Sequence, residues 1–256
     1  MPTSLRGMTN TAENTRTAVV TGASAGIGAA AAEALAADGW HVVLTARRED
    51  RLREVQARIQ DAGGQATVIV LDVTDQDSID AVAKQLAAEF GSVDLLVNNA
   101  GGARGLEPIV ETDPADWRWM FEANVMGTLQ VTRALYEQLK AGQAPQVINV
   151  VSMAGRGAYR KGAGYNAAKF GETALTDVMR MEFAEDGIRV CQLDPGRVAT
   201  DFSLNRFKGD QARADEVYEG VQNLVAEDIG ETVRWIAGRP AHMDVETIMI
   251  KPIDQV

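Results

Sequence analysis

The chain has 256 residues, 46% of them hydrophobic, and a formal net charge of −11 at pH 7. That length suits one large α/β domain with a sizeable core, and the acidic balance argues against nucleic acid and anionic membranes as general partners. Cys191 is the only cysteine, which excludes an internal disulfide and points to a reducing compartment, hence a cytoplasmic location.

The opening stretch MPTSLRGMTNTAENT is polar and lacks the apolar centre of a secretory signal. Residues 1–16 are therefore read as a flexible tail, and 17–256 as one domain. From Thr17 onward, short apolar runs alternate with helix-like stretches. Strands are expected at 17–22, 41–46, 66–72, 93–99, 146–152, 188–194 and 245–251. Their nearly unbroken hydrophobicity suits a parallel sheet covered on both faces. Between them lie segments such as GAAAAEALAAD and DRLREVQARIQDAG with helical periodicity. Thr74 with Asp77 resembles a capping box, Glu49 and Asp50 look like first-turn acids, and Asp113-Pro114 offers an N-cap followed by Pro. The pattern predicts a doubly wound (Rossmann) α/β fold with a seven-stranded parallel sheet flanked by helices. No apolar run is long enough to span a bilayer. Neither His41 nor His242 has a second Cys or His at ligand spacing, so no metal site is expected.

The first strand runs straight into TGASAGIG, where Gly22, Gly26 and Gly28 enclose Ser24, Ala25 and Ile27 ahead of an Ala-rich helix. Glycines there permit a tight turn and let backbone approach a pyrophosphate at a helix N-terminus. A closely packed strand-to-helix turn would need the same residues. At the end of the second strand, a site for unphosphorylated ribose would carry an acid. This chain has Ala46 followed by Arg47 and Arg48, and guanidinium groups suit a 2′-phosphate. The expected cofactor is NADP(H).

In the stretch GAGYNAAKF, Tyr165 and Lys169 stand four apart and so share one helix face. Taken in order, TGASAGIG, NNAG (98–101), Ser152, Tyr165-x-x-x-Lys169 and PGRVAT (195–200) resemble the short-chain dehydrogenase/reductase family, over nearly the whole chain from Thr17. The resemblance implies that Tyr165 is the proton donor or acceptor, Lys169 its electrostatic partner and a ligand of the nicotinamide ribose, and Ser152 the hydroxyl orienting the carbonyl. It implies that Asn124 holds a water of the proton relay. Asp72 and Val73 would meet the adenine, and Asn99, Ala100 and Gly101 its ribose. Pro195, Gly196, Val198 and Thr200 would flank the nicotinamide. Asn98 and Asn99 equally suit a strand end, and Asp72 a turn cap.

A free phenol has a pKa of about 10, so bringing it to neutrality requires about three units, roughly 4 kcal/mol. One ammonium about 4 Å away supplies about that much at an effective dielectric near 20. On that reading Tyr165 and Lys169 run acid/base chemistry without metal or histidine. The Tyr-Lys spacing favours C=O over C=C reduction within the family. The C-terminal stretch is similar to NADP-dependent 3-hydroxy acid and serine 3-dehydrogenases, and clavulanate-type aldehyde reductases look close. The substrate is then a small carbonyl or alcohol, including a 3-hydroxy acid or β-hydroxy amino acid. Arg104, Arg156, Arg160 and Arg197 either border the pocket and meet a carboxylate or are solvated and paired. Phe202 and Phe207, in a segment (200–217) that closes over substrate in this family, line the pocket or seat the segment. The alternative function is an NADP-binding redox sensor without turnover. Helices near 113–140 and 164–186, with the last strand, would pair in a homodimer or homotetramer.

Overall fold

The computed structural model describes residues 15–255; most of the expected N-terminal tail, residues 1–14, lies outside them. Nine strands occur among the described residues: β1 (Thr17–Thr21), β2 (His41–Ala46), β3 (Gln65–Val70), β4 (Leu95–Asn98), β5 (Gln146–Val150), β6 (Arg189–Pro195), β7 (Val198–Ala199), β8 (Leu224–Val225) and β9 (Thr247–Ile250). The helices are α1 (Gly26–Ala37), α2 (Glu49–Asp61), α3 (Gln76–Glu89), α4 (Pro114–Phe121), α5 (Gly127–Ala134), α6 (Tyr136–Lys140), α7 (Ala163–Phe183), α8 (Phe202–Arg206), α9 (Gln211–Glu216) and α10 (Ala226–Ala237).

Seven strands form one parallel sheet in the order β3-β2-β1-β4-β5-β6-β9, and β7 pairs with β8 in a small second ladder. Side chains alternate across the sheet. Ala18, Val20, Val42, Leu44, Leu95, Val97, Ile148 and Leu193 pack against α1, α2 and α10. Val19, Val43, Leu96, Val147 and Val190 face Ile79, Val82 and Leu86 of α3, Val131 of α5 and Met179 of α7 on the other side. Every central strand is therefore buried on both faces, which is why these runs read as continuously apolar. Helices α1 and α10 approach closely at Gly230, where a Cβ would lie 2.7 Å from the Ala30 backbone.

All seven expected sheet strands are present, with ends shifted by local side chains. The third stops at Val70 because Asp72 Oδ1 accepts bonds from the Thr74 N–H (3.0 Å) and Oγ1 (2.7 Å), turning the chain. The fourth begins at Leu95; just before it the Asp94 carboxylate accepts the N–H groups of Thr17 (2.8 Å) and Gln143 (2.5 Å). The cap of α3 is Asp75, which accepts from the Asp77 N–H at 3.1 Å, and not the Thr74–Asp77 pair. Asp113 and Pro114 do start α4, and Glu49 and Asp50 fill the first turn of α2. The order of strands reverses between β1 and β4, so their C-terminal ends open a crevice of the kind that takes ligands in open α/β sheets.

Candidate active site

A cavity of about 1190 Å³ occupies that crevice. At one end lies the glycine loop. Gly22 and Gly26 have φ of +68° and +53°, a left-handed backbone that a side chain would strain. At Gly28, a Cβ would run into the Gly22 carbonyl oxygen and lie 2.5 Å from Asn99 Nδ2. No side chain caps α1 and no acid lies in its first turn, so its leading N–H groups are left for an anion. Asn99 fastens this loop to β4, its Nδ2 donating to the Thr21 carbonyl at 2.9 Å while Thr21 Oγ1 accepts the Asn99 and Ala100 N–H groups at 2.9 Å. Arg48 donates from Nη2 to Ser24 Oγ at 3.0 Å, which brings a guanidinium to the loop, and Arg47 lines the same wall. These features fit a phosphorylated dinucleotide.

The remaining expected cofactor residues surround the same space. Ser24, Ala25, Ile27, Asp72, Val73, Asn99, Ala100, Gly101, Pro195, Gly196, Val198 and Thr200 all line the cavity, and a Cβ on Gly26 would lie 3.3 Å from the Thr200 methyl. Asn98 is a structural residue: its buried amide donates to Thr132 Oγ1 and Asn149 Oδ1, both at 2.9 Å. Asn124 sits outside the cavity lining, in a π-helical turn (Glu122–Met126) between α4 and α5. Its amide donates to the carbonyls of Met120 (2.6 Å) and Gly102 (2.9 Å) and accepts the Gly102 N–H at 3.1 Å, so the buried polar atoms are satisfied. A Cβ on Gly101 would collide with that amide oxygen.

At the other end, Ser152, Tyr165 and Lys169 converge on the wall formed by β5 and α7. Ser152 follows β5 and accepts the Ala154 N–H at 3.0 Å, which fixes its hydroxyl; its N–H points to Asp194 Oδ1 at 3.3 Å. Tyr165 and Lys169 stack on one face of α7, with the ammonium 5.9 Å from the phenol ring centre. The Tyr165 ring also lies 5.5 Å from that of Phe202.

Lys169 is not a lone cation. Its Nζ donates to Glu172 Oε2 at 2.6 Å and to the Val150 carbonyl at 3.2 Å, and Glu172 Oε1 accepts from Thr128 Oγ1 at 3.2 Å. Both charged side chains are almost wholly enclosed, at 6% and 2% exposure. Burial works against the Lys169 ammonium, yet Glu172, Tyr165 and Asp194 together outweigh it and hold the amine above its ordinary value. Burial lifts the Glu172 carboxyl above the usual carboxylate range, although Lys169 and Thr128 pull it back. Burial likewise pushes the Tyr165 phenol up, against the opposing pull of Lys169 and of a hydrogen bond with Ser152, while Glu172 adds to the rise. Lys169 lowers the phenol as the sequence leads one to expect, and in the protein alone burial outweighs it.

Periodicity could have revealed Glu172. Tyr165, Lys169, Glu172, Thr176 and Met179 fall on one helical stripe and all are buried. The arginines are redistributed too. Arg156 is committed to Asp194 (2.7 Å) and Thr247 (3.2 Å), and Arg197 to Asp254, Asn223 and the Gln222 carbonyl, each at 2.7 Å. Arg104 lies 4.3 Å over the Trp119 ring, and Arg160 is exposed at the rim. Phe202 and Phe207 both line the cavity, and Phe207 is also seated under the Arg213 guanidinium at 4.3 Å. Sequence reading passed over Tyr159, Arg206 and Tyr218, which complete the cavity from the segments on either side of Tyr165.

The model of the short chain dehydrogenase family matches residues 16–211. An uncharacterized oxidoreductase of Mycobacterium tuberculosis is 47% identical, covering 97% of this chain and 95% of its own. A sulfoacetaldehyde reductase of Chromohalobacter salexigens is 38% identical over 92% of this chain and 93% of its own. Among solved structures, the closed form of a serine dehydrogenase complexed with NADP+ superposes with a TM-score of 0.88 at 33% identity, covering 94% of this chain and 96% of that one.

Proposed function

The chain belongs to the short chain dehydrogenase family as an NADP-dependent oxidoreductase interconverting a carbonyl and an alcohol, and from that premise we propose that it reduces a small aldehyde or ketone with Tyr165 as general acid. The observation that carries the reading is one cavity with two chemically distinct ends. An uncapped helix N-terminus with Arg47 and Arg48 suits a phosphorylated cofactor, and a hydroxyl, a phenol and an ammonium suit a carbonyl oxygen.

NADPH, when bound, supplies the hydride. The residues of this chain hold and polarise the acceptor. Ser152 Oγ and Tyr165 Oη donate hydrogen bonds to the carbonyl oxygen, which stabilises the negative charge that develops there. Tyr165 then passes its proton to that oxygen. Lys169 offsets the charge left on the phenolate, and Glu172 fixes the ammonium against α7. In the oxidative direction the same phenolate accepts the alcohol proton. Gly22, Ser24, Ala25, Gly26, Ile27, Gly28, Arg47, Arg48, Asp72, Val73, Asn99, Ala100, Gly101, Pro195, Gly196, Val198 and Thr200 form the cofactor side of the site. Asn124 supports it by pinning the Gly102 backbone.

The substrate class we favour is a 3-hydroxy acid, β-hydroxy amino acid or related short oxo acid, since the named relatives include a sulfoacetaldehyde reductase and a serine dehydrogenase. The protein is proposed to work as a homodimer or homotetramer. Phe121 on α4 and Phe170, Val178 and Met181 on α7 are exposed apolar side chains on neighbouring helices, which favours burial against a second copy. Among the described residues no helix is long and apolar enough to cross a membrane. A reducing compartment such as the cytoplasm suits the single buried thiol.

The test is a panel of 3-oxo acids, sulfoacetaldehyde and uncharged aldehydes and ketones run with NADPH and NADH, and of β-hydroxy amino acids run with NADP+ and NAD+. Turnover with NADPH exceeding that with NADH is expected. Preference for NADH would remove the phosphate role of Arg47 and Arg48. Cofactor binding without turnover of any compound would favour a redox sensor instead.

A further inference from the structure

Among the described residues, the buried side-chain polar atoms without a hydrogen-bond partner belong to Trp40, Gln130, Gln138, Gln146, Gln192 and Arg206. Arg206 is the charged one, and of the six it alone lines the cavity. Its Nη2 is shut away from solvent with nothing to donate to, a costly state for a guanidinium. The fold nevertheless holds it there. Nε donates to the Gly105 carbonyl at 2.8 Å, and the Gly105 N–H returns a bond to the Arg206 carbonyl at 3.0 Å. The guanidinium carbon stands 5.6 Å from the ring centre of Tyr159 and 5.9 Å from that of Tyr165.

Two neighbouring cations are already matched. Lys208 pairs with Asp116 at 2.8 Å, and Arg213 with Glu107 at 3.6 Å. No carboxylate lies within ion-pair distance of Arg206 among the described residues. A guanidinium whose Nη2 has no partner, beside the phenol that would protonate the substrate, calls for an anionic acceptor that arrives with that substrate.

We propose that Arg206 is the receptor for an anionic group of the substrate, a carboxylate or sulfonate carried a few bonds from the reacting carbonyl. This rests on the carbonyl-reductase reading of the same site. The anion sits against Arg206 at the α8 wall while Ser152 and Tyr165 hold the carbonyl oxygen, so the fork sets both the chain length and the orientation of the substrate. It takes that role ahead of Arg156 and Arg197, whose guanidinium groups are already paired with Asp194 and Asp254.

The test compares wild type with Arg206→Met and Arg206→Lys, using NADPH and three probes: 3-oxobutanoate, sulfoacetaldehyde and the uncharged methyl 3-oxobutanoate. Arg206→Met should lower kcat/KM for the preferred anion by about 10- to 100-fold, mostly through KM, as expected for the loss of a charge-assisted hydrogen bond. The methyl ester should change by less than about threefold, a size left by altered packing alone. Whichever anion is reduced faster identifies carboxylate or sulfonate as the group recognised. Calorimetry of 3-hydroxybutanoate with the NADPH-loaded protein, a pair that cannot react, should show a matching loss of affinity that Arg206→Lys partly restores. An equal loss for acid and ester would mean that Arg206 only ties α8 to Gly105, and no loss for either would leave it idle; both overturn the proposal. Wild type reducing the ester but neither anion would overturn the anion subsite while leaving the carbonyl reductase standing. Failure to reduce any of the three would remove the reading on which the proposal rests.

Discussion

Replacing Lys169 by Met removes an ammonium and strands the Glu172 carboxylate in a site closed to solvent. The two groups are 2.6 Å apart at 6% and 2% exposure, and Thr128 Oγ1 at 3.2 Å is the other side chain bonded to the acid. Breaking a buried pair from one side costs about 3–5 kcal/mol. In a chain of this size each kcal/mol moves Tm by about 2–4 °C, so Lys169→Met should melt roughly 6–20 °C early. The loss should depend on pH with a definite sign. Burial already raises the Glu172 pKa in the native protein, and removing Lys169 raises it further. The folded variant then holds a proton that the unfolded chain gives up near its ordinary pKa of about 4.3. Stability therefore falls as pH rises above that value, and the deficit should be smaller near pH 5 than near pH 8. Lys169→Met/Glu172→Leu, which removes both charges, should regain most of the stability but none of the turnover. Denaturation of wild type and both variants at the two pH values reads this directly. A single variant as stable as wild type, or a double variant no more stable than the single, would refute the buried pair.

Gly28→Ala should weaken NADPH binding by roughly tenfold or more in a fluorescence titration, because the new methyl meets the Gly22 carbonyl and Asn99 and displaces the loop by an overpacking cost of about 1–3 kcal/mol. Arg48→Ala should raise KM for NADPH by about 10- to 100-fold with little change for NADH, the difference being one charge-assisted bond; equal effects on both cofactors would contradict it. The Cys191 thiol is pushed up to about 12 by burial and is fully enclosed. A thiol reagent should therefore find no reactive cysteine in the native protein and one per chain after unfolding.

The fold was legible because its central strands are buried on both faces and punctuated by glycines and caps, so residue type and strand position carry the same message. The cofactor side of the site was legible for a related reason. Gly22, Gly26 and Gly28 are dictated by backbone geometry that no other residue satisfies without strain or collision. The lysine's environment was only half visible. The Tyr165-Lys169 spacing could be read, and Glu172 lies on the same stripe, but that its carboxylate closes on the ammonium is a fact of the fold. Arg206 was not visible at all, since its meaning comes from Gly105, a hundred residues earlier, and from the partner it lacks. For Arg156 and Arg197 both alternatives stood open in the sequence, because Asp194 and Asp254 claim them only once the chain is folded. Long-range pairing of charged groups has no local signature.

The central claim is that Tyr165 moves the proton in carbonyl reduction, and Tyr165→Phe tests it with a single missing oxygen. Steady-state turnover with NADPH and the best carbonyl substrate should fall by at least about 1000-fold, the upper range for losing a general acid. The dissociation constant for NADPH, measured on the same preparation, should stay within about threefold, since the ring and its packing against Phe202 survive. Turnover close to wild type in a protein that still binds NADPH would contradict the account.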